Sequence, residues 1–354
     1  MSDLRVLVVG TSSPHVANYI NRIQSEDVRI FVVSNGKEFL SKDMAYRQVD
    51  FSLVNPLNWL RTTWAISKVI RSFEPNVIHV HQANAVAFYV TLVNVFFNLP
   101  LVLTAWGSDI LINPNKNWLL KKMIQFVLKR VDHCTADAQF LADEMQRLIP
   151  KRKLPVTICN FGVNPINLTI EKEKIIYSNR THNKLYRIDK VIDGFKRFCL
   201  SENSVGWKLI IAGRGTDTEQ LKAQCTESGL SDRIEFVGFL SPEQNANYYA
   251  RSTFFVSLPE SDATAVSLLE AMYYKCVPIV SDLPANKEWI THGVNGFVVT
   301  ELSGNYIEDA LNIDRESAGQ LNKEIVLEKG TLEVSKASFR KVIFEAVQKS
   351  KDNN

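Results

Sequence analysis

The chain has 354 residues, 45% of them hydrophobic, and its 41 Lys+Arg stand against 38 Asp+Glu for a formal charge of +3. That length exceeds what one ordinary core serves and calls for two domains. Near-balanced charge without long basic runs or base-stacking motifs excludes a nucleic-acid binder, and five cysteines, Cys134, Cys159, Cys199, Cys225 and Cys276, with no C-x-x-C pair, exclude a disulfide frame and a zinc site.

The first residues, "MSDLRVLVVGTSSPH", enter a short apolar strand without the charged, long-apolar and small-residue segments of a secretory signal, so a cytoplasmic location is expected. Strand patterns at 5 to 10, 28 to 34, 77 to 81 and 100 to 106 alternate with helical ones. The longest apolar stretch, 85 to 106, approaches a membrane span in length. Asn94, Asn98 and Pro100 divide it, which favours a buried helix followed by a buried parallel strand. Helical patterns at 58 to 73 and 115 to 132 combine Lys or Arg with Trp59, Trp64 and Trp118. They lie in the basic part of the chain: residues 1 to 165 hold 18 Lys+Arg against 12 Asp+Glu, the remainder 23 against 26. Such helices can rest peripherally on an anionic membrane. The alternative is that the tryptophans pack inward and the cations form a solvated face. Residues 134 to 148 read as another helix before a strand at 156 to 162.

Pro165 and the polar stretch after it mark a break. The alternation then restarts with strands at 174 to 180, 208 to 215, 233 to 240, 252 to 258 and 277 to 282, a helix over 264 to 274, and a last strand after "THGVNG". Alternating units of this kind form parallel sheets covered by helices on both faces. The expectation is an α/β protein of two Rossmann-like domains, 1–165 and 166–330, facing each other across a cleft. Residues 331–354 form a closing helical segment that could cross back to the first domain. Ligands of such sheets sit beyond the carboxyl ends of the strands, so the residues just after each strand are the candidates.

The first of those turns, "GTSSPH", has one glycine where a dinucleotide fold needs G-x-G-x-x-G, and the G-x-x-x-x-G-K-[ST] phosphate loop is absent. Hydride and ATP chemistry fit poorly. The second half carries parts for a sugar nucleotide. Arg180, Lys184 and Arg187 follow its first strand and could neutralise a departing diphosphate. The amides of Ala263, Thr264, Ala265, Val266 and Ser267 open a helix, which favours phosphate. Glu270 stands amid apolar neighbours and needs a partner to offset desolvation; a structural salt bridge is one answer and the vicinal diol of a ribose is another.

These parts, in this order, resemble the retaining glycosyltransferases of the large fourth family, the glycosyl transferases group 1, which have the GT-B fold. Their mark is Glu, seven residues, Glu, then Ala-Met and a Pro-containing strand; here Asp262, seven residues, "EAM" and "VPIVSD" follow that pattern. "CNFGV" (159 to 163), "LIIAGRG" with Gly213, and "NKEWITHGVNGFVV" (286 to 299) match further family elements in order. The resemblance implies that Glu270 holds the ribose and Arg180, with Lys184 or Arg187, the diphosphate. It gives the donor sugar to Asp262 and the amides after it, and the base to Val237, Gly238 and Phe239. "TAWGSD" resembles the family's Thr-x-His-Gly-x-Asp loop, with Trp106 where histidine is common and Gly107 and Asp109 kept. Asp109, His81 and His15, with Ser13, are then candidates to orient donor and acceptor, although each histidine fits a packed structural role equally well and His79 reads as core. This chain departs from the family at Asp262, one methylene shorter than Glu, at Ala263 and Ala265 in place of glycines, and at Tyr186-Arg187 in place of a Lys-Gly pair.

The resemblance further implies metal-independent, cofactor-free transfer of a hexosyl or N-acetylhexosaminyl group with retention. The donor would be a nucleotide-diphosphate sugar, a UDP-sugar being slightly favoured, and the acceptor a hydroxyl of a glycan or lipid-linked molecule in cell-surface polysaccharide or glycolipid synthesis. The expected place is the cytoplasmic face of the inner membrane. Two alternatives stand beside it: a sugar-nucleotide epimerase or hydrolase on the same architecture, and a silent nucleotide-sugar-binding subunit.

Overall fold

A computed structural model describes residues 4–352. The chain forms two compact units, one of the residues up to Phe161 together with those from Leu332 onward, the other Gly162–Thr331.

The first unit holds a seven-stranded sheet of β1 (Leu4–Val9), β2 (Val28–Ser34), β3 (Tyr46–Gln48), β4 (Val77–His81), β5 (Leu101–Thr104), β6 (His133–Ala136) and β7 (Val156–Ile158). All neighbours pair in parallel in the order β3-β2-β1-β4-β5-β6-β7, with β1 matched from Leu4↔Val28 to Val9↔Val33 on one side and Val6↔Val77 on the other. Every residue of β4 is buried, which is why it reads as a continuous rather than an alternating apolar run. The order reverses between β1 and β4, so the crevice of this sheet opens beside Gly10 and His81.

The long apolar stretch divides as expected into the helix Ala85–Asn94, capped by the Asn84 side chain on the Val86 amide, and β5. Among the described residues no helix is long and apolar enough to cross a membrane. One expectation needs correction, and one open alternative is decided. Residues 134–136 do not begin a helix: they belong to β6, where Cys134 and Thr135 sit buried between β5 and β7, and the helix is Gln139–Leu148. The tryptophans of the basic helices do not pack inward: Trp59, Trp64 and Trp118 are 40%, 59% and 74% exposed. The short edge strand β3, polar in sequence, had no alternating pattern to announce it.

The closing helix Leu332–Asp352 packs on the helix Pro14–Ile23, with Phe339, Val342 and Ile343 joining Tyr19, Ile20 and Ile23 in one buried cluster. Arg340 adds an ion pair to Asp27 at 3.1 Å. That burial ties the segment to the first unit.

The second unit holds β8 (Glu173–Ser178), β9 (Lys208–Ala212), β10 (Ile234–Gly238), β11 (Ser252–Ser257), β12 (Val277–Ser281) and β13 (Phe297–Val299), parallel throughout in the order β10-β9-β8-β11-β12-β13. Alternate residues of the same strands serve two cores: Ile176, Leu209, Phe254 and Val256 face one helix layer, Tyr177, Ile210, Phe255 and Val280 the other. The switch point lies between β8 and β11, so the residues that leave those two strands, from Asn179 and from Leu258, are brought to one crevice. All five cysteines carry free thiols, and all but Cys199 are buried.

Candidate functional site

Arg180 leaves β8 and turns toward the loop after β11. One guanidinium nitrogen donates to Asp262 Oδ2 at 2.5 Å, another to Ser267 Oγ at 2.7 Å, and the group lies 4.3 Å over the Tyr186 ring. A planar fork with several donors is what such a two-point grip requires. Burial raises the Asp262 pKa, with Arg180 and the Ala263 amide opposing the rise. Two residues 82 apart in sequence, assigned from pattern to phosphate and to sugar, thus meet as an ion pair.

Ser267 and Glu270 share one face of the helix Val266–Tyr273, one turn apart, so Glu270 stands next to the Arg180 grip. Its partner is neither a salt bridge nor a free diol. The Tyr249 hydroxyl stands near enough to the carboxylate to favour its charge, and Asn179 Nδ2 donates to that hydroxyl at 2.7 Å. Burial still raises the Glu270 pKa, with the Tyr249 hydroxyl opposing it. Among the described residues, that one neighbouring hydroxyl leaves most of the acceptor capacity of this half-buried carboxylate unused. The helix begins at Ala265 with no side-chain cap, so its first amides are not met by a side chain. Trp289 Nε1 pins the preceding residue through Thr264 Oγ1 at 3.2 Å, while Ala263 and Ala265 are buried.

The three cations expected to serve the diphosphate are used differently. Arg187, at φ 48°, donates to the carbonyls of Leu258 at 2.6 Å and Pro259 at 2.8 Å, bracing the β11 loop. Lys184 is exposed on the short 3₁₀ turn Lys184–Tyr186 and makes no ion pair or hydrogen bond among the described residues.

Gly213 sits at φ +105°, and a Cβ there would come within 2.7 Å of the Arg180 carbonyl oxygen, so the close approach of this turn to β8 needs glycine. Its amide donates to the Gly238 carbonyl at 2.7 Å. Beside it a pocket of about 270 Å³ is lined by Asn179, Thr181, Gly213, Arg214, Phe239 and Asn245. Phe239 is 74% exposed with Arg214 5.3 Å over its ring; Val237 is partly buried against the core, and Gly238 takes φ +72°.

In the first unit the expected residues do gather, but mostly as protein-to-protein contacts. Asp109 is buried and accepts from the Ala83 amide at 2.7 Å and the Trp106 amide at 3.0 Å, tying the loops after β4 and β5; burial raises its pKa and those amides oppose the rise. His81 is fully buried. Its Nδ1 accepts from Trp106 Nε1 at 3.3 Å, and burial, then His15, lowers its pKa to about 3. His15 is exposed at the helix start, 4.9 Å from the Trp106 ring and 5.5 Å from Phe161. Ser13 caps that helix through the Val16 amide at 3.3 Å, and Gly107 takes φ 88° at the bend after Trp106. Of this group His15, Ser13 and Trp106 offer side-chain surface, while the buried His81 and Asp109 hold the loops in place.

Residues 164–318 match the family of glycosyl transferases group 1, and residues 5–138 match the glycosyl transferase 4-like family. The two matches together span most of the chain and support a GT4-like group 1 glycosyltransferase. A GDP-mannose:cellobiosyl-diphosphopolyprenol alpha-mannosyltransferase of Xanthomonas campestris is 32% identical over 95 residues, 26% of this chain, and the match spans a quarter (25%) of that relative's length. A glycosyltransferase from Rickettsia africae superposes with a TM-score of 0.82 at 15% identity over 98% of this chain and all of that one (100%). Anabaena Alr3699/HepE, solved in complex with UDP-glucose, does so with a TM-score of 0.76 at 16% identity, over 98% and 100% of the two chains. The fold is that of the GT-B glycosyltransferases.

Within this site, Tyr249 and Asn245 were missed by pattern, and Asn179 was read only as the first of the residues that leave the strand, without a role. Tyr177 Oη donates to Asn245 Oδ1 at 2.6 Å and Asn179 Nδ2 reaches the same oxygen at 3.1 Å, so Tyr177 of β8, Asn179 just after it, and Asn245 and Tyr249 of the helix Pro242–Arg251 form one polar chain that ends beside Glu270. Only Asn179 carried a signal, its place at the end of β8 beside Arg180.

Proposed function

We propose that this protein transfers a hexosyl group, with retention, from a nucleotide-diphosphate sugar to a hydroxyl of a lipid-linked or polysaccharide acceptor. The observation that carries the reading is the Arg180 fork on Asp262 and Ser267 at the switch point of the second sheet, one helical turn from a half-buried carboxylate with spare acceptor capacity. A resting ion pair of this kind exchanges when a dianionic ligand arrives. The diphosphate takes the guanidinium, which frees the Asp262 carboxylate for sugar hydroxyls. Lys184 is the second cation in this reading, because Arg187 is engaged with Leu258 and Pro259. Glu270 accepts the ribose hydroxyls, the uncapped amides at Val266 face the phosphate or sugar, and the base enters the pocket beside Gly213 and Phe239.

The chemical step is a same-face displacement. The bond from the anomeric carbon to the β-phosphate oxygen breaks, the acceptor oxygen bonds to that carbon on the same face, and its proton passes to the departing phosphate oxygen. Arg180 and Lys184 stabilise the charge that develops there, a fixed electrostatic contribution worth more in the transition state than in the ground state. No metal ion enters this scheme. The Xanthomonas relative is named for GDP-mannose and a lipid-diphosphate acceptor, and the Anabaena neighbour holds UDP-glucose. We take a UDP-hexose as first choice and GDP-mannose as the arm that decides against it.

Thermal melting with UDP-glucose, UDP-galactose, UDP-N-acetylglucosamine and GDP-mannose tests the donor site on the wild type and Glu270→Ala. A ligand at a hundred times its dissociation constant stabilises by about 2.7 kcal/mol. One base class should shift the wild type and not the variant. No shift with any donor overturns the reading, and nucleotide release that does not depend on acceptor turns it into a hydrolase.

A further inference from the structure

The helix Pro56–Phe73 is apolar on two opposite sides. Thr62, Ala65, Ile66, Val69 and Ile70 are buried, as a core-facing stripe should be. The opposite face carries Leu57, Leu60 and Trp64, which are 62%, 69% and 59% exposed. Their spacing of three and four residues puts them in one row, and Arg61, Lys68 and Arg71 continue the same row. A helix of a soluble domain has no use for that second apolar stripe, and a contiguous exposed patch of this kind marks an interaction surface.

The patch extends beyond one helix. Phe96, 85% exposed just after the neighbouring helix Ala85–Asn94, lines a groove of about 700 Å³ together with Leu60, Trp64 and Leu92, with Arg61 and Arg71 at its edge. The helix Trp118–Leu128, which packs on Ala85–Asn94, begins with Trp118 and Leu119, 74% and 64% exposed. No Asp or Glu occurs within residues 56–73 or 110–131, while the two segments carry Arg61, Lys68, Arg71, Lys116, Lys121, Lys122, Lys129 and Arg130.

We propose that this face of the first unit docks on an anionic lipid bilayer, with Leu57, Leu60, Trp64 and Phe96 entering the interface and the flanking cations meeting lipid phosphates. Indole rings favour the headgroup level, and cations beside inserted apolar side chains fit an anionic surface. A second copy is the poorer occupant, because an isologous pairing would set this acid-free cationic face against itself. The docking surface stands apart from the donor site and does not depend on the transfer reading.

The test is co-sedimentation of the full chain with vesicles of phosphatidylcholine alone and of phosphatidylcholine mixed with phosphatidylglycerol. Comparison variants are Leu57→Ser/Leu60→Ser/Trp64→Ser and Arg61→Glu/Lys68→Glu/Arg71→Glu. The wild type should pellet with the anionic vesicles only. The charge reversals should lower partitioning by at least about a hundredfold, and the serine variant should lose it, both with an unchanged melting temperature. Independently of any variant, anionic vesicles should shift the wild-type tryptophan emission to the blue. Equal binding to neutral vesicles, no binding and no emission shift at low salt, or a wild-type dimer that the serine variant converts to monomer would each overturn the proposal.

Discussion

Arg180 and Asp262 form an ion pair at 2.5 Å in which the guanidinium keeps 10% and the carboxylate 22% of its side-chain surface. The pair joins the exit of β8 to the loop that follows β11, on the two sides of the switch point, and it is mostly shielded from water. Such a pair is costly to break from one side. Arg180→Ala leaves Asp262 in its burial without a cation, and a loss of about 3 kcal/mol in stability is expected, the low end for a buried pair because Asp262 retains some solvent. If Arg180 also meets the departing diphosphate, kcat falls by about 10²–10³. Arg180→Lys keeps the charge without the fork and should recover stability more than turnover. Melting curves and single-turnover rates on the two variants check this, and turnover unchanged in Arg180→Ala would remove the leaving-group role.

Glu270 invites a test in which stability and binding move in opposite directions. Its folded pKa is raised, burial being the main cause, so the native state holds this proton more tightly than the unfolded chain does. The stabilisation that follows is complete below the unfolded value of 4.5 and is lost as pH rises through the folded pKa. Near neutral pH the ionised carboxylate is therefore a cost to the free protein. Glu270→Gln keeps an acceptor for the Tyr249 hydroxyl and should raise the melting temperature of the unliganded protein at pH 7 while abolishing the shift caused by nucleotide sugar. A lower melting temperature would mean that the carboxylate has a structural partner after all.

The parts of this site that pattern made legible are those whose chemistry and position coincide in a short segment. Asp262, Ser267 and Glu270 lie within nine residues, and Arg180 follows a clear strand. What pattern could not show is which side chains are consumed by the protein itself. Arg187 has the right charge in the right turn, yet it braces the Leu258 and Pro259 carbonyls. Tyr249 is one tyrosine of a helix with no local mark, brought to Glu270 only by the packing of that helix beside β8 and β11. The fold was similarly legible where burial makes long apolar runs, as in β4, and hidden in β6, where four residues precede a stronger helical pattern and only sheet pairing reveals the strand. Exposure of Trp59, Trp64 and Trp118 was left open by periodicity, since both faces of their segments carry apolar residues.

Asp109 separates a catalytic acid from a structural one. Both oxygens accept backbone amides, from Ala83 and Trp106. Asp109→Asn can supply one oxygen acceptor but turns an amino group toward the other amide, leaving a buried donor unsatisfied. The expected loss is about 1–3 kcal/mol of stability. The nucleotide-sugar melting shift, which reports on the second unit, should survive. A large loss in turnover without a loss in stability would instead put the carboxylate at the reacting groups.

His79 and His81 make the first unit sensitive to acid. Both are fully buried and neutral, stacked 5.0 Å apart, with His79 bonded to Tyr19 and to Thr104 Oγ1 at 2.7 Å. Burial holds His79 well below its ordinary value and His81 at about 3, with His81 and His133 further lowering the first and His15 the second. Below pH 6.5 the unfolded chain takes up protons that the folded one refuses, so stability is lost as pH falls from there toward the folded values. Between pH 6.5 and 5 a histidine whose folded value lies below that window contributes a loss of about 1.6 kcal/mol, so the pair contributes about 3 kcal/mol. Denaturant melts of the wild type at those two values should show a drop of that order. The variant His79→Gln/His81→Gln, though less stable throughout, should show a flatter dependence. An unchanged slope in the variant would mean that the imidazoles already carry charge in the folded protein, and His81 would return as a candidate for proton transfer.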